Sequence, residues 1–152
     1  MGLRFAVAAL VFGVAFGVRV TAGNGDSPLG PQKTTRDKVY SKEQAERGAT
    51  LYAKYCERCH DPAKVPEGKK PGPPTIGPKF LDAWQDRNLG ELFSTIFTTM
   101  PSDGSTTLSV DETLDAVAHL LKANGFPEGT TPLKNDDAMK AIVIVKSPAG
   151  QR

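Results

Sequence analysis

The run Cys56-Glu57-Arg58-Cys59-His60 constrains the fold more than any other feature of this chain. A C-x-x-C-H pattern is typical of covalent haem attachment, because two thiols with two residues between them can reach the two vinyl groups of one porphyrin. The imidazole that follows can then meet the iron from the same side. The motif therefore predicts a chain that folds around its own cofactor.

Two other kinds of site use paired cysteines. A structural zinc site needs four Cys or His ligands, whereas this chain has two Cys and two His in all, and His119 lies far from the motif. A redox dithiol is expected after a strand in a βαβ frame, but a helical pattern precedes Cys56. Haem attachment is favoured, and the zinc and dithiol interpretations stay open at this point.

The N-terminus has the pattern of an export signal. Arg4 is followed by an apolar run over residues 5–18 and then by the small residues Val20-Thr21-Ala22. The run is shorter than the roughly 20 residues that a membrane-spanning helix requires. We predict a signal peptide over residues 1–22, no membrane span after its cleavage, and a periplasmic or otherwise exported protein; an uncleaved anchor is the alternative.

The charge of the mature chain argues against nucleic-acid binding. The chain has 19 basic and 17 acidic residues, and the predicted signal peptide contains two of the basic ones and no acidic one. Cleavage therefore leaves a formally neutral protein, which lacks the basic excess of a nucleic-acid or anionic-membrane binder. Lys69, Lys70 and Lys79 form a local basic patch, which is either a solvated loop or a docking face for an acidic redox partner.

Composition shifts divide the rest of the chain. Residues 23–38 lack periodicity and contain several helix breakers, which predicts a flexible linker. Residues 39–125 are expected to form one small domain, in which a buried haem supplies much of the apolar core. Residues 126–152 form a C-terminal extension whose apolar run Ile142–Val145 either packs back on the domain, which we favour, or meets a partner.

The domain is predicted to be all-α. Ser41 and Ser109 each precede a helical apolar pattern and are followed three residues later by Gln or Glu, the signature of a capping box. A third helical pattern covers Leu89–Phe97. Pro and Gly residues exclude regular structure over residues 61–79. We expect this loop to wrap around the edge of a haem.

Met100 is the candidate for the second axial ligand. It lies in an irregular stretch forty residues after His60, and Pro101 biases it away from the helical region. A thioether is a soft, neutral ligand that raises the reduction potential relative to a second imidazole. The other two methionines lie in the signal segment and in the C-terminal extension. His119 is the competitor, but it lies mid-helix among apolar neighbours.

With these motifs in order, residues from about 40 to 125 resemble a class I c-type cytochrome. The resemblance implies a small all-α cytochrome c fold in which three to five helices wrap around one haem c. It makes Cys56 and Cys59 the thioether anchors, His60 the proximal ligand and Met100 the distal ligand.

The same resemblance assigns three further residues to the haem site. Pro74 corresponds to the proline whose carbonyl accepts the Nδ1 proton of His60, which would strengthen imidazole donation to iron. Ile76 corresponds to an apolar residue that faces the haem. Trp84 corresponds to a tryptophan near a propionate, and an ordinary core indole is the alternative.

The resemblance also predicts where the first helix crosses the last. Gly48 and Tyr52 correspond to the crossing positions, but His119 stands where an aromatic residue is usual, which puts the contact between Tyr52 and His119 in doubt. Asp61 replaces a common glycine, which puts the local turn in doubt but not the ligation.

The predicted function is one-electron transfer between redox proteins outside the cytoplasm, with no enzymatic activity because both axial positions are filled. A dehydrogenase would be the donor, and an oxidase or another cytochrome the acceptor. The sequence from Leu120 onward is similar to exported bacterial cytochrome modules found beside quinoprotein dehydrogenases, so the first alternative is a haem subunit dedicated to such an enzyme. The second is a haem enzyme or sensor with an open sixth site.

Overall fold

The computed structural model describes residues 32–146. The predicted signal peptide and most of the predicted linker lie outside the described residues, as does the segment 147–152. Within the described part the regular elements are helices, and strands are absent, which confirms the all-α prediction. The helices are α1 Lys42–Tyr55, α2 Glu57–His60, α3 Pro78–Trp84, α4 Leu89–Thr99, α5 Val110–Ala123 and α6 Asp137–Lys140. None of these helices has the length and apolar character needed to cross a membrane.

The number of helices exceeds the predicted three to five. Four helices have seven residues or more, and the four-residue helices α2 and α6 bring the total in the described chain to six. Helix α3 was not predicted, and the prediction that residues 61–79 exclude regular structure is wrong for its last two residues. Helix α3 begins with Pro78 directly after Gly77 (φ 89°) at the end of the Pro/Gly-rich loop. Proline fits the first position of a helix because its missing N–H would be unbonded there anyway.

Capping boxes fix the starts of the three long helices. The predicted boxes at Ser41 and Ser109 are both present, with Gln44 and Glu112 as their reciprocal partners. Asn88 forms a third box with Glu91 at the start of α4, which the sequence analysis did not identify. Each cap contributes about 1 kcal/mol to helix stability. This contribution favours helix starts directly after Ser41, Asn88 and Ser109.

Helix α1 crosses α5 at a close contact. A Cβ atom at Gly48 would lie 1.9 Å from the backbone oxygen of Asp115, so glycine is required there. The rings of Tyr52 and His119 pack with centroids 4.9 Å apart, so histidine maintains the contact that the sequence had put in doubt. Arg47 donates two hydrogen bonds of 2.7 Å to the Asp115 carboxylate beside the crossing.

The predicted flexible linker is wrong for its last residues. Thr35 is fully buried, and its N–H donates to the carbonyl of Val143 at 3.0 Å. The N–H of Val143 donates in turn to Lys33 at 2.9 Å. This segment is held by backbone pairing with a distant part of the chain. A local sequence pattern does not reveal such pairing.

The C-terminal extension packs back on the domain, as favoured from its sequence. Its backbone bonds to the start of α4, with the Leu89 N–H donating to Ile142 at 2.9 Å and the Ile144 N–H to Arg87 at 2.8 Å. Five of its apolar side chains belong to the main core: Phe126, Leu133, Met139, Ile142 and Ile144. The boundary drawn at residue 125 therefore does not separate two cores.

Candidate functional site

A large apolar cavity lies inside the helical domain. It measures about 230 Å³ and is lined by residues of every described helix except α6. Protein interiors are close-packed, and one buried water needs only about 10–15 Å³. A cavity of this size, with walls that include Phe80, Leu92, Ile96, Leu108, Ala116 and Leu120, is large enough to hold a ligand.

The C-x-x-C-H motif forms one wall of this cavity. Cys56 is the C-cap of α1, and its N–H donates to the carbonyl of Tyr52 at 2.8 Å; α2 follows as a single turn that ends at His60. A single turn after the helix end brings both thiols and the imidazole to the same cavity, since Cys56, Cys59 and His60 all line it. The short spacing of the motif is what keeps these three groups together.

Met100 lines the same cavity from the end of α4. It is the C-cap residue, with extended backbone (φ −120°, ψ 144°), as expected for a residue that precedes proline. Arg58, within the motif, forms an ion pair with Asp103 in the turn that follows Met100. Both charged side chains are well exposed, so this pair aligns the two segments more than it stabilises the fold.

The hydrogen-bond partner of His60 differs from the prediction. The carbonyl that bonds His60 Nδ1, at 2.7 Å, belongs to Pro73 and not to Pro74. The N–H of Gly72 donates to Cys59 at 2.7 Å, and this bond fixes the loop in a register that presents the Pro73 carbonyl to the imidazole. Pro74 contributes to the cavity wall instead. The bond occupies Nδ1 and leaves Nε2 as the ring nitrogen available to a metal.

Ile76 does not occupy the predicted position at the cavity. It is 46% exposed and is not part of the cavity wall, whereas its neighbour Thr75 is. Thr75 Oγ1 shares a 2.5 Å hydrogen bond with the Tyr52 hydroxyl. This bond draws Thr75 inward and leaves the following side chain outside. Thr75 was not predicted to line the cavity. Its position depends on the contact with Tyr52 of α1, which no local motif indicates.

Trp84 lies at the cavity, where one face of its indole is covered by protein. It is partly buried and lines the cavity wall at the end of α3. The Arg87 guanidinium lies 4.2 Å from the indole centroid, and Phe80 packs at 6.2 Å. This cation–π contact orients the indole. The predicted place of Trp84 beside a bound group is compatible with this position, and its proposed propionate contact stays a prediction.

His119, the competing ligand, is not part of the cavity wall. It packs on Tyr52, and burial lowers its pKa below the usual 6.5. A lowered pKa keeps the imidazole neutral near pH 7, as suits a packed side chain. Asp61 has φ −95°, so the position does not require glycine and the doubtful turn forms without one.

The zinc and dithiol interpretations fit this site poorly. Within residues 32–146, no three His, Cys, Asp or Glu side chains are grouped so that they could hold a metal ion. Cys56 and Cys59 are free thiols, and burial raises the pKa of Cys56 to about 11. A redox dithiol requires a thiol whose pKa is lowered, because the thiolate is the reactive form.

The donor groups at the cavity fit a covalently bound haem. Two thiols can form thioethers, an imidazole and a thioether are the His/Met pair that c-type haem iron takes, and apolar side chains surround them. Pro73 supplies the hydrogen bond that orients a ligating imidazole.

Comparison with known proteins agrees with this chemistry. Residues 43–120 match the family described as Cytochrome C oxidase, cbb3-type, subunit III. The match contains the motif, the loop, Met100 and most of α5. Searches of curated proteins and of solved structures found no match.

Proposed function

The chain belongs to the cytochrome c family described as Cytochrome C oxidase, cbb3-type, subunit III, and on that premise we propose that it carries single electrons on one haem c bound through Cys56 and Cys59, with His60 and Met100 as axial ligands. The family supports a haem-based electron carrier. The covalent attachment, the ligand pair and the partners are our proposal.

One observation carries the proposal: Cys56, Cys59, His60 and Met100 line one apolar cavity although Met100 is forty residues from His60 in sequence. The iron of a bound haem would supply the reversible one-electron chemistry. The two thiols hold the group to the chain, and the apolar wall excludes water from it.

His60 and Met100 set how readily an electron is accepted. The Pro73 carbonyl accepts the Nδ1 proton of His60, which fixes the tautomer and raises the donor strength of Nε2. Met100 is neutral and soft, and it opposes that effect by favouring the reduced state. The reduction potential of the carrier therefore depends on both His60 and Met100.

Redox partners would dock where the loop is exposed. Lys69 and Lys70 are exposed on the loop that follows His60, Lys79 is exposed at the start of α3, and Ile76 adds an exposed apolar side chain. Exposed ammonium groups together with an apolar side chain suit an acidic protein partner. We propose such proteins as donor and acceptor, with a dehydrogenase and an oxidase or another cytochrome as the classes to test first, and an exported, periplasmic location.

The rival functions make different demands on the same residues. A haem enzyme or sensor with an open sixth site requires Met100 to leave the cavity, and the extended backbone at the end of α4 instead holds it in the wall. A subunit dedicated to a dehydrogenase would need a recruiting surface. The apolar residues of the extension do not offer one, because Ile142 and Ile144 are buried in this chain's own core.

The proposal is tested by staining a denaturing gel for haem after export of the protein with its full sequence. We expect the wild type to retain haem under denaturation, and C56S/C59S to lose it, because the chain has no other cysteine to form a thioether. H119F is the matched control and should retain haem, whereas H60A should not load it stably. A wild type without haem, or a double variant that keeps it after denaturation, overturns the proposal.

A further inference from the structure

Asn124 connects the end of α5 to the loop that lies beside His60. It is 7% exposed, and its side chain makes three hydrogen bonds. Oδ1 accepts from the Gly77 N–H at 2.8 Å, and Nδ2 donates to the carbonyls of Thr75 at 3.0 Å and Leu120 at 2.8 Å. Only the bond to Leu120 stays within α5. The other two reach a segment nearly fifty residues earlier in the chain.

The loop that Asn124 holds has little else to fix it. None of residues 61–77 is buried, so side-chain packing against protein does not determine the loop's position. Its conformation therefore depends on a few hydrogen bonds. At its C-terminal end these are the two bonds from Asn124 and the bond between Thr75 and Tyr52.

The held residues are close to the carbonyl that orients the imidazole. Pro73, whose carbonyl bonds His60 Nδ1, lies two residues before Thr75. The φ angles of Pro73 and Pro74 are restricted, so the backbone between Pro73 and Thr75 has little conformational freedom. A displacement of Thr75 is therefore transmitted to the Pro73 carbonyl.

We propose that Asn124 is a positioning residue for His60: through Thr75 and Gly77 it keeps the Pro73 carbonyl on Nδ1 and thereby sets the electron donation of the imidazole to the haem. This inference rests on the proposed ligation by His60. Loss of Asn124 weakens the bond to Nδ1, the imidazole becomes a poorer donor, the oxidised state is less stabilised, and the reduction potential rises.

Gln44 offers a matched control. It is also a buried amide, 4% exposed, and it also bonds a distant backbone segment, donating to the carbonyl of Leu133 at 2.9 Å and accepting from its N–H at 2.6 Å. Leu133 lies in the C-terminal extension and is not part of the cavity wall. Replacing either amide should cost stability, but only Asn124 should affect the haem ligand.

The experiment compares N124L and Q44L in the haem-loaded full-length protein. Two readouts are measured: the reduction potential, and the exchange rate of the His60 Nδ1 proton by NMR. In N124L we expect a higher potential and about tenfold faster proton exchange; a tenfold change corresponds to about 1.4 kcal/mol, which is within the net contribution of two hydrogen bonds. Q44L should unfold more easily and leave both readouts at wild-type values.

A second variant keeps the test decisive if N124L fails to load haem. N124S retains a polar residue at the helix end but is too short to bridge both Thr75 and Gly77, and it should move both readouts in the same direction. Wild-type readouts in N124S or N124L, or equal shifts in Q44L, overturn the inference while leaving the proposed function intact. A wild type without His60-ligated haem overturns both.

Discussion

Two segments without long helices, residues 61–77 and residues 126–146, are held in place by different means. The second segment buries Leu133, Met139, Ile142 and Ile144 in the protein core. The first segment buries none of its residues. An irregular segment stays in one conformation only when favourable contacts offset the loss of its conformational entropy. The extension makes these contacts with the protein core, whereas the loop at 61–77 borders the cavity.

Backbone hydrogen bonding follows the same division. The segment Ile142–Ile144 is bonded on one side to Lys33 and Thr35 and on the other to residues 86–89. The loop depends on the bonds from Gly72 to Cys59, from His60 to Pro73 and from Asn124. The extension is therefore part of the protein's own core, whereas the loop borders the cavity in which we propose that a haem is bound.

Two methionines, Met100 in the cavity wall and Met139 in the core of the extension, distinguish the two regions most clearly. M100A removes a proposed iron ligand, so we expect the potential to fall by a sizeable fraction of the roughly 0.8 V that axial ligation spans. M139A deletes a side chain that is 3% exposed in the core, and it should destabilise the fold by about 2–5 kcal/mol.

Voltammetry and denaturant unfolding on both variants separate the two roles. M139A should retain the wild-type potential, because Met139 is not part of the cavity wall. If M139A shifted the potential as strongly as M100A, the division between the two segments would be wrong.

Two isoleucines, Ile144 in the extension and Ile76 in the loop, should differ in how much they contribute to stability. Ile144 is fully buried, and I144A should lower the free energy of unfolding by about 2–5 kcal/mol. Ile76 is 46% exposed, and I76A should change it by less than about 0.5 kcal/mol. Denaturant unfolding of the haem-loaded variants measures both values. A large loss of stability in I76A would instead support the original prediction that Ile76 contacts the haem.

The smallest expected effect concerns pH and His119. Burial lowers the pKa of His119 below 6.5, and nearby Lys122 lowers it further while Glu57 acts in the opposite direction. The unfolded chain therefore binds a proton at a higher pH than the folded protein does. Stability from this group is complete above pH 6.5 and declines as the pH falls toward the lowered folded pKa.

The comparison of wild type with H119F measures this contribution. Unfolding free energies at pH 7.5 and at pH 5.5, two values chosen about one unit either side of the ordinary histidine pKa, should differ less in H119F than in the wild type. The spectrum of the haem should be the same in both proteins. An equal pH dependence in both would show that His119 does not titrate differently on folding.

The sequence determined the parts of the fold that depend on local signals. The caps at Ser41 and Ser109 and the break at Met100-Pro101 depend on neighbouring residues, and α1 and α5 begin and α4 ends where these signals predicted. The crossing at Gly48 was accessible through the resemblance, because a close helix contact requires a residue without a side chain.

The errors lie where distant segments decide the outcome. Thr35 was assigned to a linker because its partner, Val143, is more than a hundred residues away. The carbonyl on His60 was assigned to Pro74 rather than Pro73, because the register of the loop is fixed by Gly72 and not by the proline pattern. The bonds from Asn124 to Gly77 and Thr75 join segments nearly fifty residues apart, and no local sequence pattern indicates them.

The visible absorption spectrum of the oxidised, purified protein tests the central claim most directly. With His60 and Met100 as ligands we expect a low-spin ferric haem with a weak long-wavelength band from sulfur-to-iron charge transfer. M100A should abolish this band, and M139A should keep it. A haem spectrum with an open sixth position or two imidazole ligands would contradict the His60/Met100 pair. A protein without haem absorption would contradict the assignment of the cavity itself.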